Sequence, residues 1–314
     1  ALISVALFLT GCASEESTSI DIATLKGPTA MGLVKIMEDS ESGEVNGNEY
    51  TFTVSGAIDE VIAKISNDET DMACIPANLA SALYNKMEGD VSVLAVNTLG
   101  VIYICENSDN VTSIEDLRGK TIIASGKGAT PEYCLNYLLE ANGLDPEKDV
   151  DIQWKSEHSE CSAILISNEN TIAMLPQPFV TTSTMKGEDV RIALDLTEEW
   201  NKVNDTSTLI TGVIIGNKEF VENNEDAVNR FLESYEQSVT FVNENIDEAA
   251  KLIGKYEIFP EEVAKAAIPT CNIVCITGDE MKTKLKGYLE ELHKQNPKAV
   301  GGKLPADEFY YINE

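Results

Sequence analysis

The chain has 314 residues, a formal net charge of −30 and a pI of about 4.3, and 43% of its residues are hydrophobic. That apolar content supplies a sizeable core and excludes a globally disordered chain, while the excess of acid repels nucleic acid and other polyanions over most of the surface. A chain of this length makes two domains or one large one, and its charge leaves room for a small anion held in a local site.

Residues 1–11 read ALISVALFLTG, apolar and uncharged, but short of the ~20 residues that span a bilayer. This is the pattern of a secretory h-region. The run ends in Leu9-Thr10-Gly11-Cys12, similar to the lipobox of bacterial lipoproteins, followed by the small polar stretch ASEESTS. Residues 1–11 are therefore expected to be a signal fragment, Cys12 the lipidated first residue of the mature chain, and residues 12–18 a flexible tether. No later segment is apolar enough to cross a membrane, so a soluble body outside the cell is expected. The other cysteines, Cys74, Cys105, Cys134, Cys161, Cys271 and Cys275, lie mostly in apolar contexts and read as small buried hydrophobes, with one disulfide left open. With only His158 and His293 in the chain and no CxxC, a zinc site is not expected.

The body repeats itself. IDIATL (20–25) reads as a strand, followed by Lys26-Gly27-Pro28-Thr29 and the amphipathic run MGLVKIMEDS. TIIAS (121–125) repeats the plan, followed by Gly126-Lys127-Gly128-Ala129-Thr130-Pro131 and EYCLNYLLEANG. EYTFTVS before AIDEVIAKISNDE matches VDIQWK before SECSAILISNE, and TDMACIP before ANLASALYNKM matches TIAMLP before QPFVTTSTM. Gly27 thus recurs as Gly128, Asn67 as Asn168 and Pro76 as Pro176. Strand–helix alternation predicts parallel sheets flanked by helices, and two copies predict two similar lobes. VSVLAVNTLGVIYICE (91–106) reads as an extended crossover and LITGVII (209–215) as the return. From Asp226 a helix is predicted with Val228, Phe231, Leu232, Tyr235, Val239, Val242 and Ile246 on one face, then helices near Pro260–Ile268 and Gly278–Gln295. Lobe one is expected to be residues 19–98 plus 212–314, and lobe two residues 99–211, joined by a two-strand hinge.

Ligands of parallel α/β sheets sit beyond the carboxyl ends of the strands, where free amides favour negative charge or acceptors. In lobe one that turn is Lys26, Gly27, Pro28, Thr29 and Ala30; in lobe two it is Gly126, Lys127, Gly128, Ala129, Thr130 and Pro131. Thr130 as N-cap with Pro131 behind it is a helix-start signal, and Gly126 and Gly128 are expected to leave bare amides. GKGATPE lacks the GxxxxGK[ST] spacing of a phosphate loop. The third-strand turns bring Pro76, Ala77, Asn78, Gln177 and Phe179 to the same edge; Ser55, Gly56, Thr98, Thr211 and Gly212 complete the candidate ligand-binding residues. Trp154 and Trp200 read as packing residues, and His158, in a polar loop, as a solvated side chain.

The lipobox, TLKGPT, GKGATPEY and LPQPF together resemble the substrate-binding lipoproteins of ABC importers, in the nitrate/sulfonate/taurine branch that includes binders of thiamine-pyrimidine precursors. The resemblance implies a type II periplasmic-binding-protein-like fold of two α/β lobes and capture of a small polar or anionic organic solute. It implies an ABC permease as partner, lipid attachment to the outer face of the cell membrane, a monomeric body and no cofactor, metal or catalytic residue. Members of the family often carry Pro-Glu-Pro where Pro176-Gln177-Pro178 stands. Enzymes share the fold: the fungal thiamine-pyrimidine synthase carries a CCCFC motif absent here, and menaquinone-pathway relatives are cytosolic. An enzyme of this kind, or a degenerate binding scaffold, is the alternative.

Overall fold

The structure, a computed structural model, describes residues 17–312; the expected leader and Cys12 lie outside them. The chain starts with β1 (Thr18–Leu25), the short helix α1 (Pro28–Met31), α2 (Val34–Ser40), β2 (Asn48–Ser55), α3 (Ile58–Ser66), β3 (Met72–Pro76), α4 (Ala77–Lys86) and β4 (Val91–Leu99). It continues through β5 (Ile102–Glu106), β6 (Thr121–Ser125), α5 (Thr130–Ala141), β7 (Asp151–Lys155), α6 (His158–Ser167), β8 (Ile172–Pro176), α7 (Phe179–Lys186), β9 (Arg191–Asp195) and α8 (Leu196–Val203). The last part holds β10 (Ile210–Asn217), α9 (Lys218–Asn223), α10 (Glu225–Glu244), α11 (Ile246–Lys255), α12 (Glu261–Ala267), β11 (Ile273–Ile276) and α13 (Gly278–Gln295). Among the described residues no helix is long and apolar enough to cross a membrane.

Two sheets result. The first has the order β11-β4-β10-β3-β1-β2 and the second β7-β6-β8-β5-β9. In each, the strands of the repeated units run parallel: β1 pairs with β2 from Thr18↔Asn48 to Leu25↔Ser55, and β6 with β7 from Thr121↔Asp151 to Ser125↔Lys155. A strand of later or earlier sequence inserts antiparallel beside the third, β10 on β3 and β5 on β8. Central strands covered on both faces need continuous apolar runs rather than alternation. MACIP of β3 and IAMLP of β8 are accordingly buried from their first residue to their fourth. The chain passes between the sheets at Gly100–Val101, between β4 and β5, and again on the way from α8 to β10.

The first sheet packs against α10, whose buried Val228, Phe231, Leu232, Tyr235, Val239 and Val242 meet Ile20, Ile22, Met72 and Leu94. Each such side chain contributes ~1.5–3 kcal/mol on burial. Ile246, expected on the same face, instead opens α11, because Asn245 leaves the helical region and ends α10. The run after Pro28, expected as one helix, divides into α1 and α2 around Gly32-Leu33. A Cβ at Gly32 would lie 2.4 Å from the Tyr235 hydroxyl, so the tight approach of α10 requires a glycine there. Trp200 is fully buried against Tyr137 and Tyr288 and donates Nε1–H to Ser207 at 3.1 Å, the packing role read from the sequence. The six cysteines of the described residues are free, and burial pushes the Cys74 and Cys105 thiols up to about 12, which leaves them inert at neutral pH.

Candidate functional site

The carboxyl ends of β1 and β3 lie on one edge of the first sheet, beside the end of β4 and the start of β10, since Gly212 pairs with both Pro76 and Thr98. This brings Gly27–Ala30, Pro76–Asn78, Thr98 and Thr211–Gly212 together. Gly27 has φ +131° and ψ −158°, a conformation that only glycine adopts readily, and it caps α1. The amides of Lys26, Ala30 and Met31 are spent on Ser55 O and Gly27 O. Those of Gly27 and Thr29 meet no acceptor among the described residues. The Thr29 hydroxyl donates to Leu25 O at 2.8 Å, so only its oxygen lone pairs remain to offer. Ser55, buried, serves its own turn: Ala57 N–H donates to it at 3.1 Å and it donates to Glu60. Lys26 and Gly56 are exposed.

The matching edge of the second sheet holds Ser125–Pro131 after β6 and Pro176–Phe179 after β8. Here the details differ from expectation. Ala129, not Thr130, is the N-cap of α5, and the Thr130 hydroxyl bonds Asn78 rather than a backbone amide of its own helix. The Gly128 amide is not bare: it donates to Glu132 Oε2 at 2.6 Å, because a carboxylate one turn into the helix finds the positive end of the helix within reach. The amides of Gly126 and Lys127 meet no acceptor among the described residues, and Lys127 is exposed.

The two edges touch. The Thr130 hydroxyl donates to Asn78 Oδ1 at 3.2 Å, and Asn78 Nδ2 donates to Gly128 O at 3.4 Å and to Ala299 O at 3.1 Å, all with Asn78 fully buried. In the mirror-related turn, Gln177 Nε2 donates to Thr270 Oγ1 at 2.8 Å while its Oε1 accepts from Thr181 N–H and Oγ1–H. Phe179 packs edge-on against Phe259 at 5.2 Å. Each third-strand turn therefore reaches a turn or helix that belongs with the other sheet. Two surface depressions, of about 560 Å³ beside Asn136 and Asp149 and about 390 Å³ beside Tyr50 and Tyr256, lie elsewhere.

A family model described as NMT1/THI5 like matches residues 60–249, more than half of the chain. The chain belongs to the NMT1/THI5-like family. No curated protein matches it in sequence. Among solved structures it is similar to an ABC transporter protein of Parabacteroides distasonis, with 21% identity over 95% of this chain and 99% of that one and a TM-score of 0.79. It is also similar to the ligand-binding component of an ABC-type import system of Staphylococcus aureus, with 15% identity, 94% and 97% coverage and a TM-score of 0.72. The periplasmic aliphatic sulphonate binding protein SsuA of Escherichia coli gives 14% identity, 91% and 96% coverage and a TM-score of 0.73. At these identities the likeness is one of fold, the two-lobed periplasmic-binding-protein fold.

Two residues of this NMT1/THI5-like chain escape the sequence reading. Asn97 is fully buried beside Gly212, where a Cβ would lie 2.5 Å from Asn97 Oδ1 and 2.7 Å from Thr29 Cγ2. Its Oδ1 accepts from Thr98 Oγ1 at 3.0 Å, and its Nδ2 has no partner among the described residues. The polar doublet Asn97-Thr98 at the end of a mostly apolar strand is the signal that marks it. His158 is not the solvated loop residue expected. It opens α6, hydrogen-bonds Ser125 through Nδ1 and packs on Phe179 with ring centres 5.5 Å apart. Burial lowers its pKa to about 4. The polar neighbours in sequence concealed this, because the β6 and β8 turns that cover the ring come from distant parts of the chain.

Proposed function

We propose that this chain is the solute receptor of an ABC importer, a binder rather than an enzyme. In this reading residues 19–98 with 212–314 and residues 99–211 are two lobes that hinge at Gly100–Val101 and Leu209–Thr211. A small polar or anionic organic solute enters between the carboxyl edges and is held by the amides of Gly27, Thr29, Gly126 and Lys127. The observation that carries the reading is the meeting of the two edges through Asn78–Thr130 and Gln177–Thr270, with unengaged amides on both sides. Backbone donors at fixed positions recognise acceptor oxygens without moving, and closure removes competing water. Lys26 and Lys127, exposed in a chain of net charge −30, add a local positive field at the rim. Entry requires the two interlobe contacts to part, so bound and free forms differ in hinge angle and the permease reads that difference. Lipid attachment at Cys12 fits the same role, holding the receptor beside a membrane-embedded partner as a monomer.

The test is a thermal-shift and calorimetric screen of sulfonates, nitrate, pyrimidines and carboxylates, with small-angle scattering on any hit. A raised Tm, a smaller radius of gyration and weakened binding in Lys127→Ala are expected. If no solute stabilises the protein and its dimensions never change, the receptor reading is wrong. Labelling with a radioactive fatty acid, lost in Cys12→Ser, checks the anchor.

A further inference from the structure

The cluster Ser125–His158–Phe179–Phe259 crosses from one lobe to the other at the carboxyl edge, yet the receptor reading gives it no task. Ser125 ends β6, one residue before the unengaged Gly126 amide, and is almost completely buried. His158 starts α6 and Phe179 starts α7, so three separate turns of the second sheet converge on one imidazole. Phe259 closes the row from the segment between α11 and α12, on the other lobe.

We propose that His158 is a solute-recognition residue of the cleft, presenting its Nε2–H to an acceptor atom of a planar organic solute whose flat body lies against Phe179. The proposal rests on the receptor reading and names the class of solute within it. The chemistry follows from the ring's two nitrogens. Nδ1 is hydrogen-bonded to Ser125; with the hydroxyl as donor, the ring takes its intrinsically favoured Nε2–H form. Nε2 meets no partner among the described residues, and the residue is half-buried rather than enclosed. Burial keeps the ring neutral down to about pH 4, so it carries one N–H and no charge across the physiological range. A neutral donor beside an aromatic face selects an acceptor attached to a flat body. Phe179 is itself held edge-on by Phe259, so the platform is complete only when the lobes meet. An aliphatic solute of the same head group satisfies the turn amides but leaves this face uncovered.

With only two histidines in the chain, a long-range proton–nitrogen NMR spectrum contains two imidazoles, and His293 on α13 serves as the reference ring. In the free protein at pH 7 His158 is expected as the Nε2–H tautomer; the Nδ1–H form would overturn the proposal. Benzenesulfonate and benzamide are then titrated, with methanesulfonate as the probe lacking a ring. The expected result is a shift of the His158 Nε2 signal with both ring probes, and binding of benzenesulfonate at least tenfold tighter than methanesulfonate. His158→Gln, which keeps a donor near the Nε2 position, is expected to retain more affinity than His158→Asn, which keeps only the contact toward Ser125. Equal affinity in both variants makes His158 a structural prop and sinks the proposal. If methanesulfonate moves the Gly27 and Gly126 amide signals while the ring probes leave His158 unchanged, the receptor reading stands and this proposal falls alone. If no probe moves an amide of either edge, both fall.

Discussion

The turn after β1 and the turn after β6 occupy equivalent places in two copies of one plan, and they solve the same problem differently. Gly27 takes a conformation that only glycine adopts readily and feeds a helix of only four residues, which breaks at Gly32 because α10 lies close above it. The second turn has two glycines at positive φ, feeds a twelve-residue helix and caps itself through Glu132. The first turn is thus held from outside, by the β4–β10 edge and α10, and the second from within. A site fixed by its surroundings fails when they are disturbed, whereas a self-capped one yields by small steps.

That contrast orders the expected effects. The largest belongs to Gly212→Val, which drives a side chain into Asn97 and Thr29 behind the first turn. A loss of ~1–3 kcal/mol in stability is expected, together with loss of solute binding, read by chemical denaturation and calorimetry. No crowding of this kind surrounds Gly128, where a Cβ would meet open space. The paired variants Asn78→Ala and Gln177→Ala come next. Each strips a buried amide from an interlobe contact and leaves partners unsatisfied, costing ~1–3 kcal/mol. Both are expected to enlarge the radius of gyration; unchanged dimensions would mean that these contacts do not hold the lobes together.

Gly27→Ala against Gly128→Ala isolates backbone conformation, since neither added Cβ touches anything. The first, with φ +131°, is expected to cost ~1–3 kcal/mol. The second, with φ +80°, is nearer the left-handed region and costs ~1 kcal/mol. Equal melting temperatures would erase the distinction. The smallest effect is that of Glu132→Gln, which weakens the cap on the Gly128 amide by ~0.3–1 kcal/mol. Because the glutamine carbonyl still accepts from the Gly128 amide while one negative charge leaves the turn, anion affinity measured by calorimetry is expected to rise slightly.

The repeat itself was open to reading because Gly, Thr and Pro mark where a strand ends and a helix begins, and those residues act locally. β1, β3, β6 and β8 all stand where the punctuation puts them, and so do the paired turns. Two local readings went astray for a tertiary reason. Thr130 has the chemistry of a cap, but Asn78 of the other lobe takes its hydroxyl and Glu132 takes over the capping. His158 looks solvated among Glu157, Ser159 and Glu160, yet it is half-buried, with Phe179 against its ring and Ser125 on its Nδ1.

Periodicity and turn chemistry, each spanning a few residues, were enough to determine two α/β copies and the edge where their turns lie. Which of those turn groups are free and which are consumed was settled only when the copies met. Hydrogen bonds between Asn78 and Thr130, or between Gln177 and Thr270, join segments with no relation in sequence. A side chain's availability depends on what reaches it in space.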